Sequence, residues 1–124
     1  MASGDPLVSV LQRPHVKVED VAILIAREAN PILDEDALRR ALDGLGAEAL
    51  IRRGLRSTPE RDGRILAELL FVELGFEGER DDYYNPHNSY LDKVMTRRKG
   101  IPISLSVLTM AVGERAGMEV EGVG

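Results

Sequence analysis

Ser104 is the side chain that the sequence places best for chemistry. It follows Pro102 at the head of an apolar run, where a helix N-terminus turns its free N–H groups toward an oxygen. A serine there becomes a nucleophile only beside a base, and neither His15 nor His87 has a sequence reason to lie next to it. Its ordinary role in that place is to cap the helix, and no catalytic residue is assigned. His87 shares a short stretch with Asp81, Asp82 and Asn85, a set of imidazole and oxygen donors that could suit a hard metal. No fixed ligand spacing supports a metal. Loop asparagines and aspartates ordinarily bond their own backbone, so neither metal nor cofactor is expected. Tyr83 and Tyr84 belong in the core of so aromatic-poor a chain, whereas an exposed pair would mark a recognition surface. Arg97, Arg98 and Lys99 precede Gly100 and suit the negative end of a helix better than a phosphate site. The absence of cysteine excludes a thiol nucleophile, a disulfide and a zinc thiolate site from this chain.

The 124 residues include 44% apolar and 30% charged side chains, an ordinary globular balance with room for one core. With three tyrosines, two phenylalanines and no tryptophan, aliphatic residues must fill that core, and this leans helical. A net charge of -5 gives no overall positive field to gather phosphates, which argues against nucleic acid and anionic membranes as partners. The start, Met-Ala-Ser-Gly-Asp-Pro, resembles no secretory signal, so a cytoplasmic location is expected. The run 101–112 is too short to cross a hydrocarbon core of about 30 Å.

Helical signals recur along the chain. Val18, Val21, Ala22, Ile25 and Ala29 fall at helical spacing and end at Asn30-Pro31. Asp34 can cap a second helix, which Gly44 and Gly46 are expected to divide into two short ones. Ser57 with Glu60 fits a capping box, and Thr58 with Pro59 fits the alternative of a cap followed by proline. The helix that starts there should reach about Leu74, with burial on several sides. The polar stretch 77–88 reads as a loop, Ser89 with Asp92 as a cap for the next helix, and 104–116 as a largely buried helix ended by Gly117. Leu7, Val8, Val10 and Leu11 could form a helical turn or a strand. The alternating tail 118–124 reads as a strand without an evident partner.

Two segments, Asp-Tyr-Tyr-Asn-Pro-His-Asn-Ser-Tyr-Leu at 82–91 and Arg-Lys-Gly-Ile-Pro-Ile-Ser-Leu at 98–105, occur in an order that resembles the SirB-type transglutaminase-like proteins of bacteria. A related domain occurs in a eukaryotic F-box protein. The resemblance extends upstream through Leu-Phe-Val-Glu-Leu-Gly-Phe-Glu-Gly at 70–78 and downstream through 114–123; Glu79 stands where the pattern has asparagine. It implies a mostly α chain, a helical subdomain leading into a truncated transglutaminase-like, papain-like α+β core. The expected organisation is a single domain over 1–124, with 1–60 a helical subdomain and 61–124 the central-helix and motif region.

Transglutaminase and papain-like enzymes place a cysteine at the head of the central helix, and here that place falls near Ile103 and Ser104. The resemblance therefore implies a non-catalytic interaction or scaffold module. Its possible binding surface comprises Tyr83, Tyr84, Asn85, Pro86, Asn88, Ser89, Arg98, Gly100, Pro102 and Ser104. The alternative is part of an acyl-transfer or protease-like enzyme whose histidine and acid lie beyond Gly124. The partner is an unidentified protein, and the terminal strand could pair with a second copy of the chain. Some relatives carry tetratricopeptide repeats further on, which also allows a purely structural role.

Overall fold

A computed structural model describes residues 17–119. The 7–11 and 120–124 segments, His15 and the strand-mediated dimer contact all lie outside the described residues. Among the described residues five α-helices succeed one another: α1 (Val18–Ala29), α2 (Glu35–Arg53), α3 (Pro59–Ala67), α4 (Leu91–Arg97) and α5 (Pro102–Arg115). A two-residue parallel ladder pairs β1 (Glu77–Gly78) with β2 (Lys99–Gly100). The architecture is mostly α, as the helical spacing implies. None of the described helices is long and apolar enough to cross a membrane.

α5 is the axis of the packing. Its Leu108, Ala111 and Val112 are buried with Leu42 from α2, Leu66 from α3 and Leu91 and Val94 from α4. An axial helix can contribute so many apolar side chains because neighbours cover several of its faces. Pro102 sits in its first turn, where a missing N–H costs nothing, and Gly117 adopts a left-handed φ of 73° just beyond its end.

α2 is one continuous helix of 19 residues, and neither glycine breaks it. Gly46 is there for space. A Cβ at this position would lie 2.4 Å from Cβ of Arg115, so its absence lets α2 pass against α5. At the start of α2, Asp34 accepts the N–H of Ala37 at 3.0 Å; at its end, the Arg61 guanidinium donates to the carbonyls of Arg52 and Arg53 at 3.0 and 2.6 Å.

The face of α1 that turns inward is not the one its aliphatic spacing marks. Glu19, Ile23 and Ala26 are buried, while Val18 and Ile25 are largely exposed. Glu19 explains the rotation, because its carboxylate receives Arg115 Nη2 at 2.7 Å and Arg39 Nη1 at 3.0 Å. Arg115 also donates to Asp43 at 2.7 Å. Bonding to Glu19 above all holds the Arg115 pKa above its ordinary value, against the opposing effect of desolvation. A carboxylate shared by two guanidiniums outweighs the aliphatic stripe in orienting the helix.

At α3 the cap is Thr58, whose Oγ1 accepts the N–H of Arg61 at 3.2 Å, and Ser57 instead bonds the Asp62 carboxylate. The helix widens into a π-turn over Glu68–Glu73. The wider turn sets the adjacent Leu69 and Leu70 both inward and leaves Phe71 and Val72 exposed, so burial is one-sided rather than all round.

These contacts make opposite predictions for two glycines in one helix. Gly46→Ala should destabilise by about 1–3 kcal/mol, because the packing clash exceeds the gain in helix propensity. Gly44→Ala meets no atom within 4 Å and should stabilise by up to about 1 kcal/mol. Urea unfolding of the two variants checks the pair, and equal effects would contradict the assigned role of Gly46.

Candidate functional site

The 77–90 segment is a hydrogen-bonded structure rather than a free loop. β1 anchors its start, with Glu77 N–H donating to the Arg98 carbonyl at 3.0 Å and Glu79 N–H to the Gly100 carbonyl at 2.9 Å. A 3-10 turn over Pro86–Asn88 closes its end, and Asn85 Oδ1 accepts the N–H of His87 at 2.9 Å. Ser89 does not cap α4. Its N–H instead continues the turn to the Pro86 carbonyl at 3.0 Å, and the backbone of Tyr90 leads into the helix.

Asn88 is wholly buried, and both ends of its carboxamide are used. Nδ2 donates to the carbonyls of Asp82 and Tyr83, each at 2.8 Å, and Oδ1 accepts from Arg97 Nη1 at 3.2 Å. Arg97 Nη2 meets the buried Glu79 at 2.7 Å, with Lys99 at 3.8 Å from the other carboxylate oxygen. Arg98 takes the left-handed conformation after α4, donates to the Leu74 carbonyl and lies 5.7 Å from the Phe76 ring centre. The Arg97, Arg98 and Lys99 run is thus engaged with Glu79, Leu74 and Phe76, beyond any general attraction to the helix end.

Ser104 is 5% exposed and stands in the first turn of α5, two residues after Pro102, rather than at the cap position. Its Oγ accepts the N–H of Ile101 at 3.0 Å and donates to the backbone carbonyl of Asn88 at 2.6 Å. Gly100 is required for that contact, since a Cβ there would lie 2.7 Å from Ser104 Oγ and 3.2 Å from Val94. The Gly-Ile-Pro-Ile-Ser stretch is therefore a close-packed joint between β2, α4 and α5. Its serine proton is already engaged with a carbonyl, and His87 is exposed at the loop surface.

Tyr83 and Tyr84 are exposed, at 54% and 94%, rather than packed in the core. Their rings meet edge to face, 5.4 Å between centres and at 85°. The turn that buries Asn88 draws in the carbonyls of Asp82 and Tyr83, and the rings stand outward. Asp82 accepts from Asn85 Nδ2 at 2.7 Å, a local loop bond. Among the described residues no three His, Asp or Glu side chains converge on a point that could hold a metal. Below the loop, Ser89 and Ser104 edge an apolar groove between α1 and α5 lined by Val18, Val21, Ile25 and Val107, with Ile103 at its rim. The sequence reading missed Glu79 and Arg97 as partners, although an acid and a base on either side of the motif were the available signal.

The site is thus a buried central helix whose first turn is tied by Ser104 to a preceding polar loop, within a mostly α chain. The transglutaminase-like superfamily model matches residues 36–124, and the chain belongs to that superfamily. Among curated relatives, a UPF0162 protein of Xylella fastidiosa is 50% identical over 54 residues, 44% of this chain and 19% of that protein. A UPF0162 protein of Vibrio cholerae is 38% identical over 68 residues, 52% of this chain and 25% of the relative. Mouse F-box only protein 21 is 47% identical over 55 residues, 44% of this chain and 9% of the relative. The chain thus spans a quarter or less of each of these proteins. No solved structure matches it.

Asn88→Ala should cost at least about 2 kcal/mol, because two carbonyls and a guanidinium lose a buried partner together. Asn85→Ala, at a partly exposed position, should cost less than about 1 kcal/mol. Chemical denaturation of both variants measures the difference; equal losses would contradict a central role for the Asn88 carboxamide.

Proposed function

We propose that this chain is a non-catalytic protein-interaction or scaffold module of the SirB type, acting in the cytoplasm. Its binding face is the 83–89 loop together with the 100–104 turn. The observation that carries this reading is the double use of Ser104 Oγ, as acceptor from Ile101 and donor to Asn88. A hydroxyl so engaged is architectural, because a nucleophile needs a base free to take its proton. The same bonds support a rigid platform carrying two exposed tyrosines, with an apolar groove beneath. Rigid aromatic anchors are the type of side chain that dominates protein interfaces.

Two measurements test this, one on the purified chain and one in the native host. Acyl-transfer and peptide-hydrolysis assays should show no turnover, and Ser104→Ala should change nothing in them; turnover abolished by that substitution would establish the enzyme reading instead. Proximity labelling in the native host should identify neighbours that disappear with Tyr83→Ala/Tyr84→Ala at an unchanged melting temperature. Neighbours retained by that variant would remove the loop from the binding face.

A further inference from the structure

We propose that the chain's own segment 7–11 docks in the apolar groove between α1 and α5. The groove has a volume of about 210 Å³ and is lined chiefly by Val18, Val21 and Ile25 of α1, Leu91 of α4, and Ile103 and Val107 of α5. No charged side chain lines it, and the buried hydroxyl at its edge, that of Ser104, is already bonded to Asn88 and Ile101. Pockets for cofactors and substrates usually offer about 300–1,000 Å³ and several converging polar groups, so this groove suits a few aliphatic side chains instead. Val18 is 47% exposed, Ile25 44% and Ile103 73%, so its rim is open among the described residues.

The start of α1 points to the occupant. Lys17 is the first described residue, and its ammonium pairs with Glu114 at 2.9 Å, which fixes the entry of the chain at the end of α5 remote from Pro102. Val18, which follows at once, is already part of the lining. Upstream in the sequence stands Leu7-Val8-Ser9-Val10-Leu11, with four aliphatic residues and no charge, joined to Lys17 by 12–16. A connection of that length is usual for a reversal, and Pro14 favours a turn there over a continuation of α1. Val18 to Ile25 spans about 10 Å along the helix, whereas five residues cover about 8 Å as a helical turn and up to about 17 Å when extended. In either form 7–11 reaches along the lining. The 120–124 segment follows the same end of α5, but it offers two valines and carries Glu121 between them. An acid has no partner in an uncharged groove, so 7–11 is the better match. The short tether also keeps its local concentration high, so weak apolar contacts suffice to seat it. Seated there, it covers Ile103 and competes with any partner for that edge of the molecule.

The chain has no cysteine, so a nitroxide on Ser9→Cys is a unique probe. On the full chain with isotope-labelled methyl groups, it should broaden the signals of Ile25 and Val107, which line the groove away from the tether. That broadening should be lost when Leu7, Val8, Val10 and Leu11 are all replaced by serine, which keeps the tether and removes only the apolar contact. It should be lost again with Ile103→Asp, a change at an exposed rim position that should leave the helical circular dichroism unaltered. Broadening that persists in the serine variant, or that is missing from the parent chain, would overturn the proposal. So would broadening of full strength in a mixture where nitroxide and isotope label sit on different copies, because a second molecule would then fill the groove.

Discussion

One buried carboxamide sets the arrangement on which the rest of the site depends. Asn88 is wholly buried, so each unpaired polar atom of its side chain would cost about 1–3 kcal/mol. Its partners must therefore be in place whenever the chain is folded. The carbonyls of Asp82 and Tyr83 fix the loop, Arg97 brings in the end of α4, and the backbone carbonyl of Asn88 holds Ser104 at the head of α5. Arg97 in turn needs Glu79, which the β1–β2 ladder delivers. Replacing any one member leaves another buried and unmatched, so the network holds a single arrangement.

A second polar knot plays the same part at the other end of α5. Glu19 joins Arg39 and Arg115, linking α1, α2 and α5 through one carboxylate. Desolvating such a cluster costs about as much as its attraction returns, so its contribution is to orientation more than to stability. It turns Val18, Val21 and Ile25 toward a groove instead of the core. That rotation produces the apolar channel beside the loop. Aliphatic exposure on α1 is therefore a consequence of where the acid had to go.

The helices and their order were legible because caps, prolines and terminal glycines act locally. Thr58-Pro59, Asp34, Gly75 and Gly117 work through their own backbone neighbours, and each can be read within four residues. The features that were not legible depend on distant partners. Gly44 and Gly46 look alike in sequence, but only Gly46 lies against Arg115. The rotation of α1 needs Arg39 and Arg115, which are 20 and 96 residues from Glu19. The π-turn and the two-residue ladder leave almost no periodic signal. Within the site, order along the chain marked the loop and turn correctly as neighbours. Which tyrosine faces lay outward was set by the burial of Asn88, and composition pointed the wrong way.

Membership of the transglutaminase-like superfamily poses the question of whether the head of the central helix retains latent reactivity. Ser104 faces a carbonyl oxygen, which favours a protonated group, while the helix N-terminus favours an anion. Replacing it with cysteine weighs the two directly, because the chain has no other thiol. The decisive measurement is the pH dependence of alkylation of Ser104→Cys by iodoacetamide. An architectural site predicts an apparent thiol pKa at or above the ordinary value of about 8.5 and slow labelling at neutral pH. A pKa depressed to about 7 or below, with rapid labelling, would show a site still poised for nucleophilic chemistry and contradict the account.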